Sequence, residues 1–338
     1  MVISRHFLRR ALPAMLGLAV AALAAPVARA EDTILAMPGQ NVLFLARYIA
    51  DDQHLWSKQG LNVKILDIIG IGSMNAVIAG SADFSMGSGP TITRAWARGQ
   101  HVSALLTAIS QSGQSVVIRK DIADATHFDP NAPLSVRGKI LKGQTIAMAG
   151  VGAIPDIVLK VIAKDAGLAP TDVVATPMQP PEFMAAFANK QIAGFSNSPP
   201  FVEQVLTEGT AVLVSDARKG EPTEFSPVSA SLLLARGDFC AAHKSTCEKM
   251  VHAIYEGTQI IRTDPQTSIA VMKAHFGTFS DKVLQAAYET VKAMTPDNPI
   301  TTEQDLANGD NMNSAAGFLK PEDKLPDYKP LIDNSFVK

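Results

Sequence analysis

The chain has 338 residues, 47% of them hydrophobic, with 30 basic and 32 acidic side chains and only two cysteines. The slight excess of acid disfavours nucleic acid or an anionic membrane as the main partner. After the N-terminus no run reaches the roughly 20 apolar residues that span a bilayer, and the length allows one large domain or two lobes, each with its own core.

Residues 1–30 read as a secretory signal. Arg5, Arg9 and Arg10 form a basic start, residues 11–27 are apolar, and Ala28-Arg29-Ala30 fits a small-residue cleavage site. Cleavage after Ala30 and a periplasmic destination are expected. The signal holds four Arg and no acid, so the remainder keeps 26 basic against 32 acidic residues, a net charge near −6. No cysteine lies near the cut, so no lipid anchor is expected.

From there strands and helices alternate. Residues 33–37 (TILAM) predict a strand and 42–51 a helix; 62–69 predict a second strand and 74–78 a short helix closing at Gly80. A third strand over 83–86, a helix over 90–98 and a fourth strand over 102–109 complete the block. The pattern restarts with a strand at 115–119 and a polar loop at 121–133. Strands at 145–149, 173–176, 192–195 and 211–215 then alternate with helices at 155–166, 181–189 and 199–206. After a strand at 229–235 the chain is helical over 245–262, 264–276, 281–294 and 302–318, and it ends in a polar tail. Such alternation predicts mostly parallel α/β sheets. Two blocks with a helical tail predict two lobes, residues 31–114 with 227–338 as the first and 115–226 as the second. A single large doubly wound sheet is the alternative.

Five strand-to-helix turns are rich in Gly, Ser, Asn and Pro: Pro38-Gly39-Gln40-Asn41, Gly70-Ile71-Gly72-Ser73, Gly87-Ser88-Gly89-Pro90, Gly150-Val151-Gly152-Ala153 and Ser196-Asn197-Ser198-Pro199. Ser73, Ser88 and Ser198 suit N-caps, and Pro90, Pro155, Pro181 and Pro199 suit first helical turns. Ligands of open α/β sheets sit beyond the carboxyl ends of the strands. The turns carry no Lys, Arg, Asp or Glu, which suits a small monoanion or a neutral polar molecule and serves a metal poorly. The dinucleotide pattern G-x-G-x-x-G fails, because Asn75 and Pro155 stand in the third glycine's place.

No catalytic cluster emerges. The histidines do not pair at ligand spacing, there is no H-E-x-x-H, and no G-x-S-x-G elbow is present. Arg94 and Arg98 share one helix face and read first as a solvated face. Cys240 and Cys247, an isolated pair in an exported protein, predict a disulfide. Seven residues along one helix would separate them by ~10 Å, so a turn is expected within CAAHKSTC. Ser245-Thr246-Cys247-Glu248 reads as a capping box that starts a helix at Ser245.

TILAMPGQNVLFLARYIADDQHLWSKQGLNVKI, AVIAGSADFSMGSGPTITRAWARGQ, GQTIAMAGVGAIPDIVLKVIAKDAGL, AFANKQIAGFSNSPPFVEQ and ARGDFCAAHKSTCEKMVHAI follow one another across most of the chain. In this order they resemble the periplasmic solute-binding proteins of ABC importers, nitrate/sulfonate/taurine class, which also includes relatives that bind thiamine-precursor pyrimidines. The resemblance implies a two-lobed α/β periplasmic binding protein fold (type II), with mostly parallel sheets and a ligand cleft between lobes. It implies a monomeric, non-enzymatic protein with no cofactor, which captures a small organic anion, sulfonate or carboxylate, and delivers it to an inner-membrane permease. A neutral pyrimidine or a ligand-sensing role are the alternatives. The ligand positions it implies are Gln40, Asn41, Gly72, Ser73, Ser88, Thr91, Gly152, Ala153, Ser196 and Asn197.

Overall fold

The computed structural model describes residues 30–68 and 70–338; apart from Ala30, the export signal read at 1–30 lies outside them. Among the described residues, ten strands form two five-stranded sheets. They are β1 (Glu31–Met37), β2 (Leu61–Asp67), β3 (Phe84–Gly87), β4 (Val102–Ile109), β5 (Ser115–Arg119), β6 (Thr145–Met148), β7 (Val174–Pro177), β8 (Gly194–Asn197), β9 (Ala211–Leu213) and β10 (Ser231–Arg236). The first sheet has the order β2-β1-β3-β10-β4 and the second β7-β6-β8-β5-β9. In each sheet one strand runs against the other four: β10 in the first and β5 in the second.

The two reversed strands have one cause. The chain leaves the first lobe at the carboxyl end of β4, on the side facing the second lobe. It therefore enters the second sheet at the junction and must run away from it. The return crossing does the same to β10. Each reversed strand is the first that the chain lays down after crossing.

The helices that matter below are α1 (Leu45–Asp52), α2 (Gly72–Ile78), α3 (Gly89–Ala97), α4 (Ile154–Asp165), α5 (Pro180–Ala188), α6 (Phe201–Thr207), α7 (Lys244–Thr263), α8 (Asp281–Met294) and α9 (Glu303–Ala315). Both faces of the first sheet are covered. Leu232 and Leu234 of β10 pack with Val77, Ile92 and Leu306, whereas Leu233 and Ala235 join the cluster that holds Ile49, Val251 and Ile254. This two-sided burial explains why β10 and β4 read as continuous apolar runs. Pro90, Pro155 and Pro181 stand in first helical turns as expected, whereas Pro199 precedes α6, which starts at Phe201.

Cys240 and Cys247 form the expected disulfide, with Cα atoms 5.7 Å apart. The turn within CAAHKSTC is also found, between a short helix Phe239–Ala242 and α7. The expected capping box is not. The helix starts one residue earlier, at Lys244, with no side-chain cap. Ser245 and Thr246 instead donate to the Glu31 carboxylate at the start of β1, and Lys249 pairs with it. Glu248 is engaged by Lys338. The disulfide closes a short loop, so Cys240→Ser with Cys247→Ser is expected to cost ~2 kcal/mol. A thermal midpoint unaffected by reductant or by the double substitution would contradict this.

Candidate functional site

Carboxyl ends of strands from both sheets meet at the junction between lobes, and two of the hydrogen bonds that cross it involve the turns at those ends. Asn41, in the turn after β1, donates its Nδ2 to Ser198 Oγ beyond β8 at 2.7 Å. Its Oδ1 accepts from the Leu43 N–H at 2.8 Å, which holds the side chain in place. Arg94 of α3 donates its Nη2 to the Gly152 carbonyl at 2.6 Å. Its Nη1 reaches Asn313 Oδ1 of α9 at 2.7 Å, and the guanidinium lies over the Phe318 ring. Lys160 of α4 approaches the same ring, 4.0 Å from its centroid. The turn after β1 thus faces the turn after β8, and the helix after β3 faces the turn after β6.

Several other expected ligand residues are engaged inside their own turns. Ser73 Oγ donates to the Gly70 carbonyl at 3.1 Å and is buried. A Cβ on Gly72 would lie 2.6 Å from Ile68 Cγ2, so this turn is folded on itself. Gly70 N–H bonds the Pro38 carbonyl, which places the turn beside the first one in the same lobe. Ser88 and Thr91 hydroxyls bond each other at 2.8 Å at the start of α3. Ser196 Oγ donates to the Pro155 carbonyl at 2.7 Å and ties β8 to α4. Gln40 is exposed.

The helix starts of the second lobe carry carboxylates of their own. Gly152 N–H bonds Asp156 Oδ2 at 2.8 Å, Ala153 N–H bonds the Gly150 carbonyl, and Gln179 N–H bonds Glu182 Oε2. Asp156 is fully buried. The negative charge that favours a helix N-terminus is therefore already supplied at α4 and α5.

Arg94 corrects the reading of a solvated helix face. Its side chain is buried, while Arg98 on the next turn is exposed. Burial, aided by Arg98, pulls its pKa down to about 10, against the opposing pull of Asp156 and Asp310. It stays charged at neutral pH. The sequence clue was its place one turn from the Pro90 helix start, next to uncharged turns. A cavity of about 390 Å³ opens beside it, lined by Arg94, Arg98, Phe318, Lys320 and Asp323 among others. The larger cavity, about 560 Å³, lies in the second lobe around Arg137 and Glu221, away from the strand ends. Arg137 is committed there to Glu221 at 2.6 Å and to the Val214 and Ala132 carbonyls.

Ser112 and Gln114 are polar residues at the junction that the turn pattern did not select, and Ser198, expected there as an N-cap, instead accepts from Asn41 across the junction. Among the described residues, no group of three His, Cys, Asp or Glu is placed to hold a metal, and no helix is long and apolar enough to cross a membrane.

Comparison with known proteins bears on this geometry. A solved structure of a protein from Bordetella bronchiseptica RB50 superposes with a TM-score of 0.76 at 21% identity, covering 92% of this chain and 96% of that one. The alkanesulfonate-binding protein SsuA from Xanthomonas axonopodis pv. citri, solved with MOPS bound, gives 0.69 at 14% identity, covering 90% and 99%. The periplasmic aliphatic sulphonate binding protein SsuA from Escherichia coli gives 0.65 at 16%, covering 91% and 97%. At these identities the likeness is one of fold: the two-lobed periplasmic binding protein architecture. No curated protein sequence matches the chain. Residues 41–268, well over half of the chain, match the family described as NMT1/THI5 like, and the chain belongs to that family.

Proposed function

We propose that the protein is the solute-binding component of an ABC importer, exported to the periplasm, where it closes on a small organic anion and hands it to a membrane permease. The observation that carries this is the meeting of strand-end turns from two separate sheets, joined by Asn41–Ser198 and Arg94–Gly152. A ligand between such turns touches both lobes, so its binding energy favours closure by a hinge motion. Sulfonate binding by two proteins of the same fold supports an anion. So does Arg94, a buried cation one turn from the Ser88–Thr91 pair. The site residues in this reading are Asn41, Ser88, Thr91, Arg94, Gly152 and Asn197, with Gln40, Gly72, Ser73, Ala153 and Ser196 shaping the turns.

One observation favours a second reading, an uncharged polar ligand such as a pyrimidine. Asp156, which pairs with Lys160, and Glu182 already take N–H groups at the helix starts of the second lobe, so a ligand anion would find those donors occupied.

A thermal-shift panel of sulfonates, carboxylates and pyrimidines separates the readings. A ligand present at a hundred times its Kd stabilises by ~2.7 kcal/mol, which is about 4 °C for a protein of this size. A midpoint that stays flat across the whole panel would overturn the function proposed.

A further inference from the structure

We infer that the segment crossing from β4 to β5 forms, with the end of β8, a ligand subsite for an uncharged carboxamide group. The subsite rests on the reading of the interlobe junction as the ligand cleft.

Its residues are brought together by the fold. Gly113, at φ +67°, packs against Leu43, with the position of a Cβ only 2.8 Å from Leu43 Cδ1. Leu43 N–H is held by Asn41, whose Nδ2 reaches Ser198. Ser115, the first residue of β5, pairs with Asn197, the last of β8. Gln114 therefore sits one residue toward the junction, level with Ser198. Asn41, Gln114, Asn197 and Ser198 share one patch, with Ser112 two residues from Gln114.

Three side chains there are nearly fully buried and each holds a polar atom without a hydrogen-bond partner. Ser112 is 5% exposed, Gln114 3% and Asn197 2%. The atoms without partners are Ser112 Oγ, Gln114 Oε1 and Asn197 Nδ2. The Asn197 amide is fixed, because its Oδ1 accepts from the Ser198 N–H at 2.8 Å. Its free end is a donor. Buried polar side-chain atoms usually have partners, and each one left unmet is costly. Gln111 Oε1, on the same segment, is unmet as well, whereas Trp56 and Asp310 hold unmet buried atoms on separate helices. Here three lie on one crossing segment and on the strand end next to it.

The chemistry of the unmet atoms defines what they accept. Asn197 Nδ2 offers N–H to an acceptor, Gln114 Oε1 offers an acceptor to an N–H, and the Ser112 hydroxyl serves either. Residues 102–118 contain no charged side chain. An ion would find no counter-charge on this segment. An amide, with C=O beside N–H, satisfies both carboxamides and brings no charge.

The test uses matched probes on the full chain, with binding followed by calorimetry and thermal shift. N-acetyltaurine is paired with pentanesulfonate, and N-acetylglycine with pentanoate; within each pair the chain length and anion are the same and only the amide differs. The amide member is expected to bind at least tenfold more tightly than its partner. Gln114→Met is expected to erase that difference and leave the amide-free member unchanged. Ser112→Ala, a smaller change, should narrow it and serves if Gln114→Met does not fold. Equal affinities within each pair, or a preference that survives both substitutions, overturns the subsite and leaves the importer reading standing. A response to none of the four probes overturns the subsite as well, and a flat panel of sulfonates, carboxylates and pyrimidines alongside it overturns the importer reading too.

Discussion

Gly194→Ala is expected to lower the thermal midpoint by roughly 5 °C or more, a cost of ~3 kcal/mol or more. Gly194 opens β8, the strand between β6 and β5. A Cβ there would lie 2.0 Å from the Val117 carbonyl oxygen and 3.1 Å from Ile118 Cα, both backbone atoms of β5. Neither can turn aside as a side chain would, so one strand must move. β8 carries Ser196, which anchors the start of α4, and Asn197, which faces the junction. The same substitution should therefore weaken ligand binding at temperatures where the protein is still folded. Gly150→Ala is the control: no atom lies within 4 Å of its Cβ and its backbone does not need glycine. It should melt within about 0.5 kcal/mol of the parent. If Gly194→Ala melts with that control, the close approach of β8 to β5 is not real.

The order of strands and helices was legible because each element writes its own period into consecutive residues. The restart at residue 115 marked a second block for the same reason. The reversal of β5 and β10 was not legible. Strands covered on both faces read as apolar runs whichever way they point, and direction comes from where the chain crosses. The turns were visible as Gly, Ser and Asn after apolar runs, but their bonding was not. Asn41 owes its role to Ser198, 157 residues away, and Arg94 owes its role to Gly152 and Asn313. The capping box at Ser245 failed similarly: local spacing offered Glu248, and the fold supplied Glu31. Asp156 was the most readable omission. It stands in the first turn of α4, where a carboxylate favours its own helix start, four residues from the Gly152 N–H that it takes.

Stability is expected to fall between about pH 4.5 and 7 through Glu203, and Glu203→Gln should abolish that loss. Glu203 lies on α6 of the second lobe and accepts from Thr290 Oγ1 of α8, in the first lobe, at 3.0 Å. Its other oxygen has no partner, and the residue is 8% exposed. Burial pushes its pKa up to about 7, against the opposing pull of the Thr290 bond and of Arg218, while Asp216 adds to the rise. Arg218 gives little relief, because two of its nitrogens are bound to the Asp216 carboxylate at 2.9 and 2.8 Å. A raised carboxyl favours the folded state while protonated. Its contribution is whole below the unfolded value of 4.5 and is lost as pH rises through the folded value near 7. The loss is on the order of 3 kcal/mol. Denaturant unfolding at pH 5 and pH 8 should show Glu203→Gln close to the parent at the lower pH and more stable at the higher. Glu203 is buried where the lobes meet, so its ionisation opposes the closed form although the Thr290 bond favours the carboxylate, and ligand affinity should fall over the same interval in the parent alone. Parallel pH profiles for parent and variant would show that Glu203 is already ionised when the lobes meet, and that the Thr290 bond carries a charge rather than a proton.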